Sequence, residues 1–398
     1  MSTKELSKRL KTFGASATGV VHNKVNELKR QGQEILSLNV GEPDFDTPET
    51  ARTAGISAIE EGFTRYTSTN GTAELRQAIA DKLYRDSGLS YAADEICVST
   101  GAKQAIFEAV MAICNEGDEV LIPVPSWVSY SAMTSIAGAI PVLIPSKPDF
   151  SLDLSKLEES ITSRTKAVII CTPNNPSGAV YSEESLRALA ALAVKYDFFI
   201  IADEIYEKLI YDGEKHFSIA SVSEEVREKT ITVNGFSKAY AMTGWRIGYA
   251  AARKDIIKAM IKLQGQITSC TSSVAQKAAL GALMGPQDEA EDMVEVFKER
   301  RDFVCERVSC IPGVSFTRPH GAFYLLVDIT HYLGKSVGDR VITNDVEFCE
   351  YLIEEAHVAL VPGSAFGADG TVRIAYANSM DVLSRALDEM EKALLKLG

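Results

Sequence analysis

The chain lacks most of the short motifs that mark common enzyme classes. Its seven cysteines contain no C-x-x-C pair, so neither a disulfide framework nor a zinc site is expected. Its five histidines are dispersed along the chain, at His22, His216, His320, His331 and His357. Neither G-x-S-x-G nor H-E-x-x-H occurs, which disfavours hydrolases and metalloenzymes. No G-x-G-x-x-G follows a predicted strand, which disfavours a nicotinamide-dependent dehydrogenase.

In these 398 residues acidic side chains outnumber basic ones by 54 to 41, and long apolar runs are lacking. The formal net charge of −13 disfavours nucleic acid and anionic membranes as partners. No uninterrupted apolar segment reaches the roughly 18 to 20 residues that a membrane-spanning helix needs. The first residues, MSTKELSKRLK, lack the apolar region of a secretory signal. We therefore expect a soluble, cytoplasmic protein.

A lysine and an arginine lie eight residues apart in the segment 233–249, VNGFSKAYAMTGWRIGY. A strand-like run, TITV, leads into Lys238, and another, RIGYAAA, begins at Arg246. A lysine that is desolvated at the end of a strand loses its proton more easily and attacks a carbonyl to form a Schiff base. An arginine suits a phosphate or a carboxylate. Aldehyde and anion on one ligand describe pyridoxal 5'-phosphate, although a surface loop with two solvated cations fits this segment alone equally well.

Strand and helix patterns alternate through the middle of the chain, which favours an α/β architecture with a largely parallel sheet. Residues 49–285 are expected to form this large domain. From about residue 286 a long charged helix is followed by the patterns of a smaller α+β domain. The turn-rich GEPDFDTP separates residues 32–45 from the first helix, so we expect that segment to lie outside the main sheet and the small domain to be discontinuous, over residues 1–48 and 286–398.

Two helix starts can be predicted from capping residues. Thr47 is expected as the N-cap of a helix that has Pro48 in its first position and runs to about Glu61. Ser155 and Glu158 have the spacing of a capping box, which predicts a second helix start.

Polar groups follow several of the predicted strands, at the sheet edge where open parallel sheets bind ligands. The turn Gly101-Ala102-Lys103 opens a helix and suits a phosphate, although an ordinary strand–helix turn is the commoner case. Trp127 can stack on a flat ring or belong to the core. Asn175 lies in a polar turn whose amide can donate to an oxygen.

Asp203 ends the strongly apolar run FFIIAD, where an unpaired carboxylate is costly. A protonated pyridine nitrogen is a suitable cationic partner, and its retained charge makes the ring an electron sink. Tyr206, three residues on, offers a phenol to the oxygen of the same ring. A helix N-cap is the alternative role for Asp203.

Nine motifs, spread over essentially the whole chain, resemble the class I/II aminotransferases of pyridoxal-phosphate fold type I. They are SLNVGEPDFDTP, RYTSTNGTAELR, STGAKQAIFEA, PSWVSY, TPNNPSGAVY, ADEIYEKLIY, GFSKAYAMTGWRIGY, GAFYLLVD and VRIAYA. The similarity is greatest to the bacterial aspartate aminotransferase-like branch, which includes prephenate aminotransferases. It implies a mostly parallel, helix-flanked sheet in the large domain and a homodimer with shared active sites.

The resemblance implies roles for single residues. Lys238 would form the Schiff base with pyridoxal 5'-phosphate and act as the general base, with Asp203 on the pyridine nitrogen. Tyr206 and Asn175 would contact the ring oxygen, and Trp127 would stack on the ring. The implied phosphate ligands are Gly101, Ala102 and Arg246, with Tyr66 from the other subunit. Many relatives have a serine where this chain has Gly235, and Ser237 or backbone groups are expected to replace it.

The substrate contacts implied by the resemblance are Arg373 and the Gly41 backbone for the α-carboxylate. Lys103 would bind the second carboxylate of a dicarboxylic substrate, and Trp127 and Asn175 would contact the substrate as well as the cofactor. The expected reaction moves an amino group between aspartate or glutamate and the 2-oxo acids oxaloacetate or 2-oxoglutarate. A prephenate or aromatic aminotransferase and a β-lyase remain the alternatives.

Overall fold

The computed structural model describes residues 6–15 and 17–397. Its α-helices are α1 Ala17–Arg30, α2 Glu49–Glu60, α3 Ala73–Ser87, α4 Ala102–Ile113, α5 Ser129–Ile136, α6 Leu154–Glu159, α7 Glu183–Tyr196, α8 Glu224–Lys229, α9 Lys254–Ile267, α10 Ser273–Met284, α11 Asp288–Ser309, α12 Asp345–Ala356 and α13 Met380–Leu394. Its strands are β1 Leu36–Ser37, β2 Ile96–Ser99, β3 Glu119–Val124, β4 Ile140–Pro145, β5 Thr165–Cys171, β6 Phe199–Asp203, β7 Thr230–Gly235, β8 Gly248–Ala251, β9 Ser315–Phe316, β10 Tyr324–Asp328, β11 Ser336–Val337, β12 Arg340–Val341, β13 Val358–Ala359, β14 Val361–Pro362 and β15 Thr371–Ala375.

The large sheet has seven strands in the order β2-β8-β7-β6-β5-β3-β4. Strand β8 is antiparallel to both of its neighbours, and the other strands run parallel to one another. The predicted α/β fold with a largely parallel sheet is therefore confirmed. Because the parallel strands share one direction, Ser99, Val124, Cys171, Asp203 and Gly235 end at the same edge.

Helices cover this sheet because their apolar residues recur at helical spacing. In α4 the buried apolar residues are Ala105, Ile106, Ala109, Val110 and Ile113. They belong to the same core cluster as inward-facing residues of the strands, such as Val120 and Ile201. Burying each large apolar side chain contributes roughly 1.5–3 kcal/mol to the stability of the fold. This packing holds the strands, and therefore the edge at which they end, in place.

A second, antiparallel sheet has the order β14-β15-β10-β9. The early segment of the chain joins this part of the molecule, since β1 pairs in parallel with β13 and the amide of Ala375 donates to the carbonyl of Leu38 at 2.8 Å. These contacts bring the residues just after β1 beside β15, which has Arg373 at its centre. No helix of the described residues is long and apolar enough to cross a membrane.

Both predicted capping arrangements are wrong. The Thr47 hydroxyl donates to the carbonyl of Ala241 at 3.2 Å and accepts from the Trp245 indole at 3.0 Å, so it does not cap α2. At α6 the carboxylate of Asp153 accepts from the amide of Lys156 at 3.2 Å, which starts the helix at Leu154 instead of at a Ser155–Glu158 capping box. At α2 the hydroxyl expected to cap the helix is bonded elsewhere, and at α6 the side chain of Asp153 caps the helix instead.

Candidate active site

A cavity of about 460 Å³ opens at the carboxyl-end edge of the large sheet. Of the residues predicted for the site, those that line it are Gly41, Ala102, Lys103, Trp127, Asn175, Asp203, Tyr206, Ser237, Lys238, Arg246 and Arg373. Gly101 lies directly behind, against the Arg246 guanidinium. Tyr66 does not line the cavity and is 88% exposed.

Lys238 follows β7 and extends its amine into the cavity. Its Nζ donates to the carbonyl oxygen of Gly41 at 2.5 Å. Burial lowers the pKa of Lys238 to about 8, against the opposing effect of the Glu42 carboxylate, and the cations Arg373 and Arg246 lower it further. A substantial share of this amine is therefore neutral near pH 8 and available as a nucleophile.

Asp203 ends β6 and is 4% exposed. The Tyr130 hydroxyl donates to its Oδ2 at 2.6 Å, and the amide of Ile205 donates to its Oδ1 at 3.2 Å. Residues 204–207 form a turn, so the alternative role of Asp203 as a helix N-cap is wrong. Burial raises the pKa of Asp203 to about 6, although these two hydrogen bonds and the charge of Lys238 act to lower it.

Arg373 is a buried cation, 2% exposed, that forms no ion pair with a carboxylate of the described residues. Its Nη1 donates to Oδ1 of Asn175 and its Nη2 to the carbonyl of Asn39, both at 2.9 Å. The guanidinium lies 4.4 Å from the ring centroid of Tyr324 and 4.9 Å from that of Phe366. Neutral partners fix its direction without neutralising it, which is the arrangement that a carboxylate ligand requires.

The start of α4 forms a cradle for an anion. The first amides of a helix have no acceptor within it and carry the positive end of its dipole. Gly101 precedes them with a φ of 80°, and a Cβ there would lie 2.7 Å from Nη2 of Arg246. Arg246 is held in the left-handed region, with a φ of 54°, and its Nη1 donates to the carbonyl of Thr243 at 2.9 Å. Small size at Gly101 therefore lets the arginine and the amides converge.

A serine at position 235 would not fit this chain as it stands. A Cβ on Gly235 would lie 2.9 Å from Cα of Gly248 and 3.1 Å from the carbonyl oxygen of Ile247. The close approach of β7 and β8 thus accounts for the glycine. Ser237, which is 8% exposed, lines the cavity two residues later.

Aromatic side chains form the side walls of the cavity. The Lys103 amine lies 4.7 Å from the ring centroid of Trp127, and that ring meets Tyr130 edge-on with centroids 5.4 Å apart. The hydroxyls of Tyr206 and Tyr324 are hydrogen-bonded at 2.9 Å.

Sequence reasoning missed several residues of the cavity wall. They are Thr18, Gly19, His22, Asn39, Glu42, Tyr130, Cys171, Thr243 and Tyr324. Glu42, Tyr130 and Tyr324 stand inside recognised motifs, GEPDFDTP, PSWVSY and GAFYLLVD, and the motif positions are the only signal for them. Nothing in the sequence indicated that α1 forms part of the wall.

Comparison with known proteins agrees with this geometry. The family model described as aminotransferase class I and II matches residues 33–389. An aspartate aminotransferase of Bacillus sp. (strain YM-2) is 43% identical over 389 residues, covering 97% of this chain and 98% of that protein. A bifunctional aspartate aminotransferase and glutamate/aspartate-prephenate aminotransferase of Petunia hybrida is 45% identical, covering 98% and 83%. The crystal structure of the Rhizobium meliloti aspartate aminotransferase superposes with a TM-score of 0.95 at 43% identity, over all of both chains.

Proposed function

Because the chain belongs to the class I and II aminotransferase family, we propose that it transfers amino groups between aspartate or glutamate and 2-oxo acids, using pyridoxal 5'-phosphate. One observation supports the proposal most directly. A single cavity contains an amine of lowered pKa on Lys238, a buried carboxylate of raised pKa on Asp203 and an unpaired guanidinium on Arg373. The names of the relatives, aspartate aminotransferases, support the choice of substrate.

The donor set fits the cofactor part by part. The α4 N-terminus with Arg246 suits its phosphate, and the amine of Lys238 suits its aldehyde. No described residue forms a salt bridge with Asp203, and a protonated ring nitrogen would provide a cationic partner. When bound, pyridoxal 5'-phosphate supplies an aldehyde that condenses with amines and a ring that accepts electrons from the substrate. Trp127 offers the flat face on which that ring would stack.

Each protein group then has a separate task. Asp203 holds the proton on the ring nitrogen, and Tyr130 and the amide of Ile205 fix the direction of its carboxylate. Asn175 uses its Oδ1 to orient Arg373, which leaves its Nδ2 hydrogens to donate to the ring oxygen beside Tyr206. Lys238 would take the proton from the substrate Cα and deliver it to the carbon that was the aldehyde carbon of the cofactor.

The substrate is held at both ends in this proposal. Arg373 binds the α-carboxylate in a two-pronged arrangement near Gly41. Lys103, across the cavity beside Trp127, binds the second carboxylate of a dicarboxylic substrate. Prephenate, which also has two carboxylates, is the second candidate, because the relative from Petunia hybrida is named for both activities.

The larger organisation is part of the same proposal. We place the large domain at residues 49–285 and a discontinuous small domain at 1–48 and 286–398. Tyr66 is 88% exposed and outside its own cavity, which suits a homodimer in which it reaches the phosphate bound by the other subunit. The seven cysteines are free thiols, as expected for a protein of the cytoplasm.

An absorption experiment tests the proposal. Protein reconstituted with pyridoxal 5'-phosphate should show a visible band that fades on addition of aspartate or glutamate but not of leucine or phenylalanine. Because prephenate is an amino acceptor, return of the faded band on addition of prephenate but not of oxaloacetate would favour the second candidate. Release of pyruvate or ammonia when no 2-oxo acid has been added as amino acceptor would point to a β-lyase, and absence of any cofactor band would overturn the proposal.

A further inference from the structure

Asp203, the last residue of β6, and the turn 204–207 after it have two faces with different surroundings. Asp203 and Tyr206 line the cavity. Glu204 and Glu207 do not, yet they are only 1% and 6% exposed. Two carboxylates are therefore buried on the side of the turn that faces away from the proposed cofactor, where each needs a partner.

Glu204 is bound by the loop that follows the turn. The Ser218 hydroxyl donates to its Oε1 at 2.6 Å, and Nε2 of His216 lies 3.2 Å from its Oε2. Its own amide donates to the carbonyl of Val233 at 2.8 Å, which fixes the turn to β7. The side chain of His216 is 11% exposed, so this pair is largely shielded from solvent.

Glu207 is bound from α3. It forms an ion pair with Lys82, and Lys82 lies 3.1 Å from Asp86, which in turn lies 2.9 Å from Lys208. With His216 protonated, three cations face three carboxylates in this cluster, which is shielded from solvent except at the Lys208 side chain, 39% exposed. The cations are Lys82, Lys208 and His216, and the carboxylates are Glu204, Glu207 and Asp86.

The charge state of His216 follows from the groups that face it. Burial opposes its protonated form, and so does Lys82. Glu204 favours that form most strongly and Glu207 adds to the effect, so the pKa of His216 lies above its ordinary value. The phenols of Tyr91 and Tyr249 lie near the same carboxylates and are held neutral by burial.

We propose that Glu204 and His216 are a positioning pair for Asp203, in which the protonated imidazole offsets the Glu204 carboxylate so that Asp203 stays an anion towards the ring nitrogen. The inference rests on the function proposed above. Glu204 adjoins Asp203 in the chain, and its uncompensated charge would favour protonation of that neighbour. His216 thus acts on the site through Glu204, without contact with cofactor or substrate.

A metal site is the competing use of the same residues. Donor atoms of Glu204, Glu207 and His216 lie within 4.8 Å of one another. The ammonium group of Lys82 already pairs with Glu207, however, so a metal ion would meet a like charge beside it. Binding of Zn²⁺ or Co²⁺ to the cofactor-free protein, lost in Glu204→Gln, would overturn the positioning proposal.

The first test uses the cofactor-free protein and needs no activity. With ¹³C-labelled histidine, five ring signals are expected, one for each histidine. The His216 signal, assigned by Gln substitutions at the other four, should titrate above its ordinary pKa of about 6.5. Glu204→Gln should lower that pKa by about one unit or more. A His216 that titrates at or below the ordinary value in the folded wild type would overturn the proposal even if no variant at position 216 folds.

The second test follows the visible band of the bound cofactor against pH. His216→Gln leaves Glu204 uncompensated and should move the titration of the band upward by about one pH unit. The double variant Glu204→Gln/His216→Gln removes both charges and should return near the wild type. If the two residues had a purely structural role, the band titration of the double variant would be shifted at least as far as that of the single variant. That result would refute the proposal that Glu204 and His216 act as a pair.

A matched control keeps the two proposals separate. His320 also faces a carboxylate, with Nδ1 4.0 Å from Asp212, but its side chain is 44% exposed and it does not line the cavity. His320→Gln should leave the band titration unchanged. A wild type without a cofactor band refutes the proposed function, whereas a normal band that His216→Gln does not move refutes only the positioning pair.

Discussion

Two lysines of this protein are both withdrawn from water, yet their pKa values move in opposite directions. At Lys82, 3% exposed, the ion pairs with Glu207 and Asp86 outweigh burial and raise the pKa. At Lys238 burial prevails and lowers the pKa to about 8, because its nearest partner is a neutral carbonyl. The contrast shows that the partner, more than the depth of burial, decides whether a buried lysine is structural or reactive.

The largest effect should come from the unpaired lysine. Lys238→Ala removes both the attachment point for the cofactor and the base that moves the Cα proton, so kcat/KM should fall by more than about 10³-fold. Steady-state kinetics with aspartate and 2-oxoglutarate measure this, and circular dichroism should show an unchanged fold. Near-normal turnover in that variant would show that Lys238 is not the reactive lysine and that its lowered pKa does not separate it in function from Lys82.

The paired lysine should matter for stability instead. Lys82→Met leaves Glu207 buried without its cation, which should lower the free energy of unfolding by roughly 3–5 kcal/mol. The folded fraction should keep activity within a few-fold of the wild type. Chemical denaturation measures the loss, and the double variant Lys82→Met/Glu207→Gln should recover a large part of it. A Lys82→Met protein with normal stability but no activity would reverse the roles assigned to the two lysines.

Those two roles differ in how far the sequence could predict them. Lys238 stands in a local motif between two strand-like runs, and β6, β7 and the turn at Gly101 could be placed from apolar patterns and small residues. The general plan of the sheet and the polar groups at its strand ends were predictable for the same reason, since short-range patterns report strand ends and the topology brings them together. Arg373 and Gly41 were expected only from the resemblance to the family.

Long-range pairing could not be predicted in this way. Lys82 meets Glu207 across 125 residues, and Tyr130 meets Asp203 across 73. Thr47 looked like an N-cap but hydrogen-bonds to Ala241, 194 residues away. A single sequence reports residue types at these positions but not which distant partner satisfies them, so the partners of buried polar groups come only from the structure.

Buried carboxylates extend the comparison. Burial raises the pKa of Asp203 from its ordinary 3.8 to about 6, whereas the cations Lys82, His216 and Lys208 together outweigh burial and lower the pKa of Glu207. An acid with a raised pKa binds its proton more tightly in the folded state. The cofactor-free protein should therefore lose stability as pH rises from about 4 through 6, by about 3 kcal/mol from Asp203 alone.

Asp203→Asn isolates that contribution. The variant should lack this part of the pH dependence when denaturant unfolding of the cofactor-free protein is compared between pH 4.5 and 7. Saturating pyridoxal 5'-phosphate should flatten the wild-type profile, because a protonated ring nitrogen gives Asp203 the partner that Glu207 already has. Identical pH profiles for wild type and variant would show that Asp203 is not a carboxylate lacking a cation.

The smallest expected effect concerns Arg373, a cavity cation that forms no ion pair with a carboxylate of the described residues. Arg373→Lys keeps the positive charge but loses the planar fork that Asn175 and the carbonyl of Asn39 orient. The KM for aspartate and for 2-oxo acids should rise roughly 10–100-fold, with a smaller change in stability, since no carboxylate of the described residues depends on this guanidinium. Arg301, equally buried but paired with Asp212, is the matched control. Arg301→Lys should reduce stability and leave KM unchanged, and a KM effect of similar size at both positions would mean that pairing does not separate binding cations from structural ones.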